Sequence, residues 1–305
     1  MGEQSHTRMN ARTWGLLLLL GLIWGGSFFF ARVAVHHVPP LTLVFLRLSL
    51  AAVALHLYIA GRFGIYEALI RRWREFLVLG LINNAVPHAL IFFGQTEIGA
   101  GLAAILNATT PIWTVLIANH FTVDEKLSSA KLLGCLIGLA GTIVLIGPAV
   151  TTDSDAPLWA LLLPVLAAAF YGFAVTYAKR FKDVSPTVMA AGQLSASSLV
   201  MLPVSFLSDQ PWTLSMPPIG GLMAILALAL LSTAFGYIVY FRIIKLAGAT
   251  NTSLVTLLVP PSAILLGSLF LGERFGLAEF AGMALIGAGL IILDGRLHRR
   301  SLHVA

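Results

Sequence analysis

Asn84 and His88 stand four residues apart in a stretch, Glu75–Phe93, that is otherwise mostly apolar. On an α-helix that spacing puts both side chains on one face. An amide and an imidazole placed together can exchange hydrogen bonds with a small solute, and the imidazole can also carry a proton near neutral pH. The pattern recurs at Thr233 and Tyr237, four apart in a second apolar stretch, Ile219–Phe241. Trp24, Asn107, Tyr171, Gln193 and Asn251 interrupt other apolar runs. These residue types suit recognition by hydrogen bonding and ring stacking. They do not suit nucleophilic catalysis, which needs a nucleophile beside a base. The one cysteine, Cys135, stands alone and the histidines are dispersed, so neither a catalytic pair nor a zinc or iron–sulfur ligand set is in view. No Walker A sequence occurs, so no nucleotide or other cofactor is expected. The alternative account is that the polar groups only join helices through hydrogen bonds, each worth about 0.6 kcal/mol in a membrane.

The elements that must position these residues follow from composition. Of 305 residues, 58% are hydrophobic and 10% charged, with a mean hydropathy of +0.90. A soluble domain carries roughly 25% charged residues, so the solvent expected for this surface is the lipid bilayer. The net charge of +6 does not point to nucleic acid, because the basic residues are scattered in short loops instead of gathered on one face. Crossing the hydrocarbon layer takes about 20 apolar residues. Such runs lie at Thr13–Val35, Leu41–Ala60, Glu75–Phe93, Ile98–Ala118, Ser129–Gly147, Pro157–Tyr177, Pro186–Leu207, Ile219–Phe241, Ala249–Leu271 and Gly276–Leu293. The first follows Arg8 and Arg12 and resembles a secretory signal in order. Its apolar character continues through Ser27–Phe30 with no small-residue cleavage site, so it is expected to remain as a membrane helix.

Basic residues in short loops stay cytoplasmic. With ten spans and the N-terminus inside, sixteen of the nineteen Lys and Arg fall on the cytoplasmic side. Arg32 and Arg274 remain outside, and Arg47 falls within the second run. Both termini are therefore expected in the cytoplasm, and the chain in the inner (plasma) membrane.

The chain also repeats itself. Glu125, Ala130, Gly134, Ala140, Gly141 and Gly147 match Glu273, Ala278, Gly282, Ala288, Gly289 and Gly295 at a constant offset of 148. Gly99, Ala100 and Pro111 match Gly248, Ala249 and Pro260 at 149, and Trp24-Gly25 matches Tyr171-Gly172 at 147. Five helices is an odd number, so the second half enters the membrane with opposite polarity. The expected fold is an all-α integral membrane protein of ten transmembrane helices in two inverted five-helix repeats. These are residues 13–147 and 157–295, joined by an outer loop at 148–156 and followed by a cytoplasmic tail at 296–305. Inverted repeats of this kind let a midplane site open to alternate sides.

Trp24-Gly25, Arg47, the segment Gly99-Ala100-Gly101-Leu102-Ala103-Ala104 through Pro111, and Glu125 and Glu273 together resemble the drug/metabolite transporter superfamily, specifically the EamA-domain permeases. The resemblance covers essentially the whole chain. It implies a central cavity around a pseudo-twofold axis and a secondary transporter, an exporter of small organic metabolites such as amino acids or related compounds. A membrane scaffold or sensor without turnover is the other reading.

Trp24, Asn84, His88, Asn107, Tyr171, Gln193, Thr233, Tyr237 and Asn251 are the candidates for binding substrate. Arg47 is assigned a structural or gating role, holding a carbonyl or snorkelling outward, with a substrate carboxylate as its alternative partner. Pro111 and Pro260 are expected to bend their helices at equivalent depths. Gly134 and Gly282 belong to glycine ladders that allow close helix packing, within the monomer or across a homodimer. His88 is the candidate for proton coupling. In a Cys135→Ala background, single cysteines at Asp153 and at Arg299 should react with an impermeant thiol reagent from opposite faces of the membrane. Labelling of both from one face would overturn the ten-span reading.

Overall fold

The computed structural model describes residues 11–60, 65–121, 128–151, 156–181, 183–240, 242–243, 246 and 255–294. Glu125, Asp153 and Asn251 lie outside them. Helices are the only secondary structure among the described residues. That is the physical expectation in hydrocarbon, where a segment must satisfy its own N–H and C=O groups. The helices are α1 (Ala11–Val35), α2 (Pro40–Ile59), α3 (Trp73–Glu97), α4 (Ala100–Phe121), α5 (Ser129–Thr151), α6 (Leu158–Phe181), α7 (Pro186–Asp209), α8 (Ile219–Tyr240), α9 (Val255–Leu271) and α10 (Leu277–Asp294). A short helix, Ile65–Arg71, precedes α3. Seven of them, α1–α4 and α6–α8, are long and apolar enough to cross a membrane. The fully described apolar parts of α5, α9 and α10 are shorter: Lys131–Val144, Leu258–Leu271 and Leu277–Gly289.

Helix ends are held by groups from distant parts of the chain. Asp209, at the end of α7, accepts from the backbone N–H of Thr42 at 2.7 Å and from its hydroxyl at 2.9 Å, covering the first turn of α2. Glu273 accepts from the N–H groups of Ala100 and Gly101 at the start of α4. A carboxylate there meets both the orphan donors and the positive end of the helix dipole. Arg72, just before α3, donates to Glu75 and Asp183 and to the carbonyl of Arg180, and its guanidinium stands 4.6 Å from the centre of the Phe181 ring. The hydrogen bond from Arg72 holds the Asp183 carboxyl below the usual carboxylate range. This cluster ties the start of α3 to the α6–α7 turn.

The interior of several helices departs from regular α-geometry. α4 is interrupted at Ala108–Thr109, just before Pro111, as expected for a residue without an N–H. Pro260 and Pro261 lie inside α9. α3 contains a π-helical turn at Leu81–Ala85, and α8 a longer one at Ala227–Phe235. The offset of 149 that aligns Pro111 with Pro260 carries the first of these turns into the second.

Helix pairing shows the same recurrence. α1 packs on α9 and α6 on α4; α3 packs on α6 and α8 on α1; α3 meets α7 and α8 meets α2; α2 lies against α7 and α5 against α10. Glycines mark the closest approaches. A Cβ on Gly25 would stand 2.9 Å from the backbone nitrogen of Ala263, and one on Gly172 the same distance from that of Thr114. A Cβ on Gly141 would stand 2.8 Å from the carbonyl oxygen of Gly282 and the nitrogen of Ile286; one on Gly289 would lie 2.6 Å from the carbonyl of Gly134. The ladder containing Gly134 and Gly282 is thus spent on an α5–α10 contact within one chain. Overpacking a tight contact costs about 1–3 kcal/mol. Gly141→Val should therefore lower the thermal midpoint of the detergent-solubilised protein, while Gly15→Val, where a Cβ meets nothing within 4 Å, should leave it unchanged.

Candidate functional site

A cavity of about 330 Å³ lies between α1, α2, α3, α4, α6, α7, α8 and α9. Both π-helical turns contribute to its wall. The turn in α3 brings Asn83 and Asn84 to the centre of the bundle. Asn83 donates from Nδ2 to Gln193 Oε1 at 2.8 Å, joining α3 to α7. Tyr237 donates its hydroxyl to Asn84 Oδ1 at 3.4 Å, joining α8 to α3. The turn in α8 frees the carbonyl of Leu228, which accepts from the Thr233 hydroxyl at 2.9 Å. Thr233 Oγ1 in turn accepts from Arg47 Nε at 2.9 Å. A π-helical turn widens the backbone ring and leaves a carbonyl for such a contact.

Aromatic rings close much of the remaining wall. Trp24 lies against Tyr240 with ring centres 5.4 Å apart. His88 is stacked on Phe92 at 6.1 Å and meets the edge of Tyr171 at 6.5 Å. The Arg47 guanidinium is 5.8 Å from the centre of the Phe92 ring. Gln95, fully buried, donates from its side-chain amide to the carbonyl of Phe28 at 2.8 Å, while its backbone carbonyl accepts from Arg32. Several polar atoms are buried without a partner among the described residues: Asn84 Nδ2, His88 Nδ1 and Asn107 Oδ1. The side-chain carbonyl of Gln95 is a further one. A buried polar atom without a partner is costly, and those of His88, Gln95 and Asn107, all lining residues, suit a wall that binds a polar guest or ordered water.

Of the residues singled out in the sequence, Trp24, His88, Asn107, Tyr171, Gln193, Thr233 and Tyr237 line the cavity. Asn84 stands behind the wall, bonded to Tyr237. Asn251 is outside the described residues. Pro111, Pro260, Gly134 and Gly282 are not among the lining residues. Arg47 was assigned to structure, and it does make a structural hydrogen bond, but it also faces the cavity. The site candidates omitted Asn83, Gln95, Phe28, Phe92 and Tyr240, all in the wall. For Asn83 a signal existed: it is a second asparagine beside Asn84, although on a regular helix adjacent residues turn to different faces. Phe28 and Phe92 carry no sequence signal that separates a cavity wall from a lipid-facing ring.

The model of the EamA-like transporter family matches this chain twice, over residues 13–147 and 158–293. The chain belongs to the EamA-like transporter family. It is a multi-pass membrane transporter rather than an enzyme. It is similar to the uncharacterized transporter YoaV of Bacillus subtilis, with 25% identity over 94% of this chain and 98% of that one. It is similar also to the uncharacterized inner membrane transporter YedA of Escherichia coli K12, with 24% identity over 92% and 89% of the two chains. A probable terminal-alkyne amino-acid exporter of Streptantibioticus cattleyicolor shares 24% identity over 95% of both. A solved crystal structure with 20% sequence identity aligns over 93% of this chain and 98% of its own, with a TM-score of 0.64, which places the fold.

A cysteine at Asn107, on the cavity wall, should react with a water-soluble thiol reagent roughly tenfold faster or more than one at Leu43, which is 0% exposed in the core, because the thiolate must reach water. Equal rates at the two positions would show that the cavity is not hydrated.

Proposed function

We propose that this EamA-family chain is a secondary transporter, an exporter of small organic metabolites of the amino-acid type. In this reading its two repeats, 13–147 and 157–295, are inverted five-helix units that rock about the central cavity and expose it to alternate faces. It resides in the inner membrane with both termini in the cytoplasm. The observation that carries the reading is the recurrence of contacts at fixed offsets in a bundle that encloses one cavity with polar groups set in a mainly apolar wall. Gly25 on Ala263 recurs as Gly172 on Thr114, and Gly141 on Gly282 recurs as Gly289 on Gly134. Repeated packing of this kind gives two nearly equivalent arrangements of one contact set, which alternating access requires. The double match of one family model supports the same division. Support for an amino-acid type of substrate comes from the wall chemistry, amides, hydroxyls and rings in a volume of about 330 Å³, and from the relative named as an amino-acid exporter.

His88 is the coupling group in this proposal. It is buried in the wall, stacked on Phe92, with Nδ1 unpartnered, and it is the imidazole among the described lining residues. If proton coupling runs through it, His88→Gln should abolish concentrative transport driven by a pH gradient and leave downhill exchange of substrate. Retention of full gradient-driven transport would remove His88 from the mechanism.

The reading is tested by comparing extracellular metabolites of cells lacking and overproducing the protein, and then measuring release of the accumulated compounds from sealed vesicles containing the purified chain. A transporter moves solute across the bilayer. A scaffold or sensor leaves every distribution as it was in empty vesicles.

A further inference from the structure

Arg47 is 8% exposed and lines the cavity. Its Nε donates to Thr233, and its guanidinium lies beside the Phe92 ring. No hydrogen bond from its two terminal nitrogens to a described residue exists, and the ion pairs among the described residues belong to Arg72. The described wall contains no aspartate, glutamate or lysine. A guanidinium stays charged at any pH a protein meets. A charge removed from water and left unpaired is strongly unfavourable, so this cavity holds a cation whose counter-charge the described protein does not supply.

Resting on the transport reading above, we propose that Arg47 is the specificity-determining residue of the cavity and grips a carboxylate of the substrate. Thr233 holds the Nε edge of the guanidinium: its own hydroxyl proton is committed to the Leu228 carbonyl, so its oxygen accepts from Arg47. The terminal amino groups are thereby left for a guest, and their planar fork matches a carboxylate. One permanent cation favours compounds with one carboxylate, since a second would meet no fixed positive charge in the described wall. The apolar surfaces of Phe28, Leu79, Ile91, Phe92 and Val259 receive the rest of the molecule. A free ammonium without a carboxylate meets Arg47 as a like charge and is rejected. The Oδ1 of Asn107, buried without a partner, is an acceptor suited to the ammonium of a zwitterion.

The test uses the full-length purified chain in sealed vesicles. These are loaded with an equimolar mixture of monocarboxylates, comprising apolar amino acids and their deaminated acids, or with the matching mixture of amides and amines. Release over empty vesicles is read by mass spectrometry. The wild type should release members of the carboxylate mixture and retain the amides and amines. In Arg47→Gln, carboxylate release should fall by roughly tenfold or more, the scale of losing a charge-assisted hydrogen bond, with Arg47→Lys partly restoring it. Thr233→Val keeps the charge and removes the acceptor that orients it. It should raise the carboxylate concentration needed for half-maximal release while preserving the preference for acids over amides. If Arg47→Gln does not yield a monodisperse protein, the wild-type preference and the Thr233→Val shift decide alone. Wild-type release of amides and amines as fast as of acids, or unchanged release of acids by a folded Arg47→Gln, overturns the assignment and leaves the transport reading standing. Release of nothing from either mixture counts against transport itself and removes this inference with it.

Discussion

A hydrocarbon interior offers no water to a polar group, so an amide, hydroxyl or charge within it must find a partner in the protein or face a cavity that water or a guest can enter. That constraint organises this molecule. It forces the chain into helices, covers the first turns of α2 and α4 with the carboxylates of Asp209 and Glu273, and gathers the remaining polar side chains where helices from both halves of the chain meet. The hydrogen bonds at the cavity run between elements far apart in sequence: Arg47 to Thr233, Asn83 to Gln193, Tyr237 to Asn84. The polar interior is thus a seam between the two halves as well as a binding surface.

Close packing supplies the other half of the account. Helices with no hydrophobic drive to associate in lipid depend on tight surface contact, and here glycines let backbones approach within van der Waals distance. The α5–α10 contact uses both glycine ladders against each other, while Gly25 and Gly172 seat α1 on α9 and α6 on α4. Contacts repeated in pairs are easier to exchange for one another than contacts made once.

Much of this was legible in the sequence, because the signals were strong and local. Apolar runs reported the helices, and the fixed offsets pointed to positions whose contacts recur, Gly25 on Ala263 as Gly172 on Thr114. Polar interruptions at Trp24, His88, Tyr171, Gln193, Thr233 and Tyr237 reported residues that share one cavity. What was not legible depended on geometry with no local signature. The π-helical turns at Leu81–Ala85 and Ala227–Phe235 leave hydropathy unchanged, yet they bring Asn83 into the wall beside Asn84's contact and free Leu228 for Thr233. The depth of Arg47 could be read from its place in α2. Its partner could not, because Thr233 lies 186 residues away on another helix. The fully described apolar parts of α5, α9 and α10 fall short of the spans expected for them.

The central claim is that the halves move against each other around the cavity, closing one face as the other opens. Spin labels at Arg71 and Ser185, which flank the Arg72–Asp183 cluster, and at His37 and Ser215, near the contact of His37 with Gly221, report the two ends of the bundle. All four positions are exposed and each pair joins one half to the other. Pulsed-dipolar distance distributions for both pairs, measured in lipid with and without a transported solute, should shift in opposite directions: one pair closer as the other separates. Two distances that stay fixed, or that lengthen and shorten together, would contradict the account.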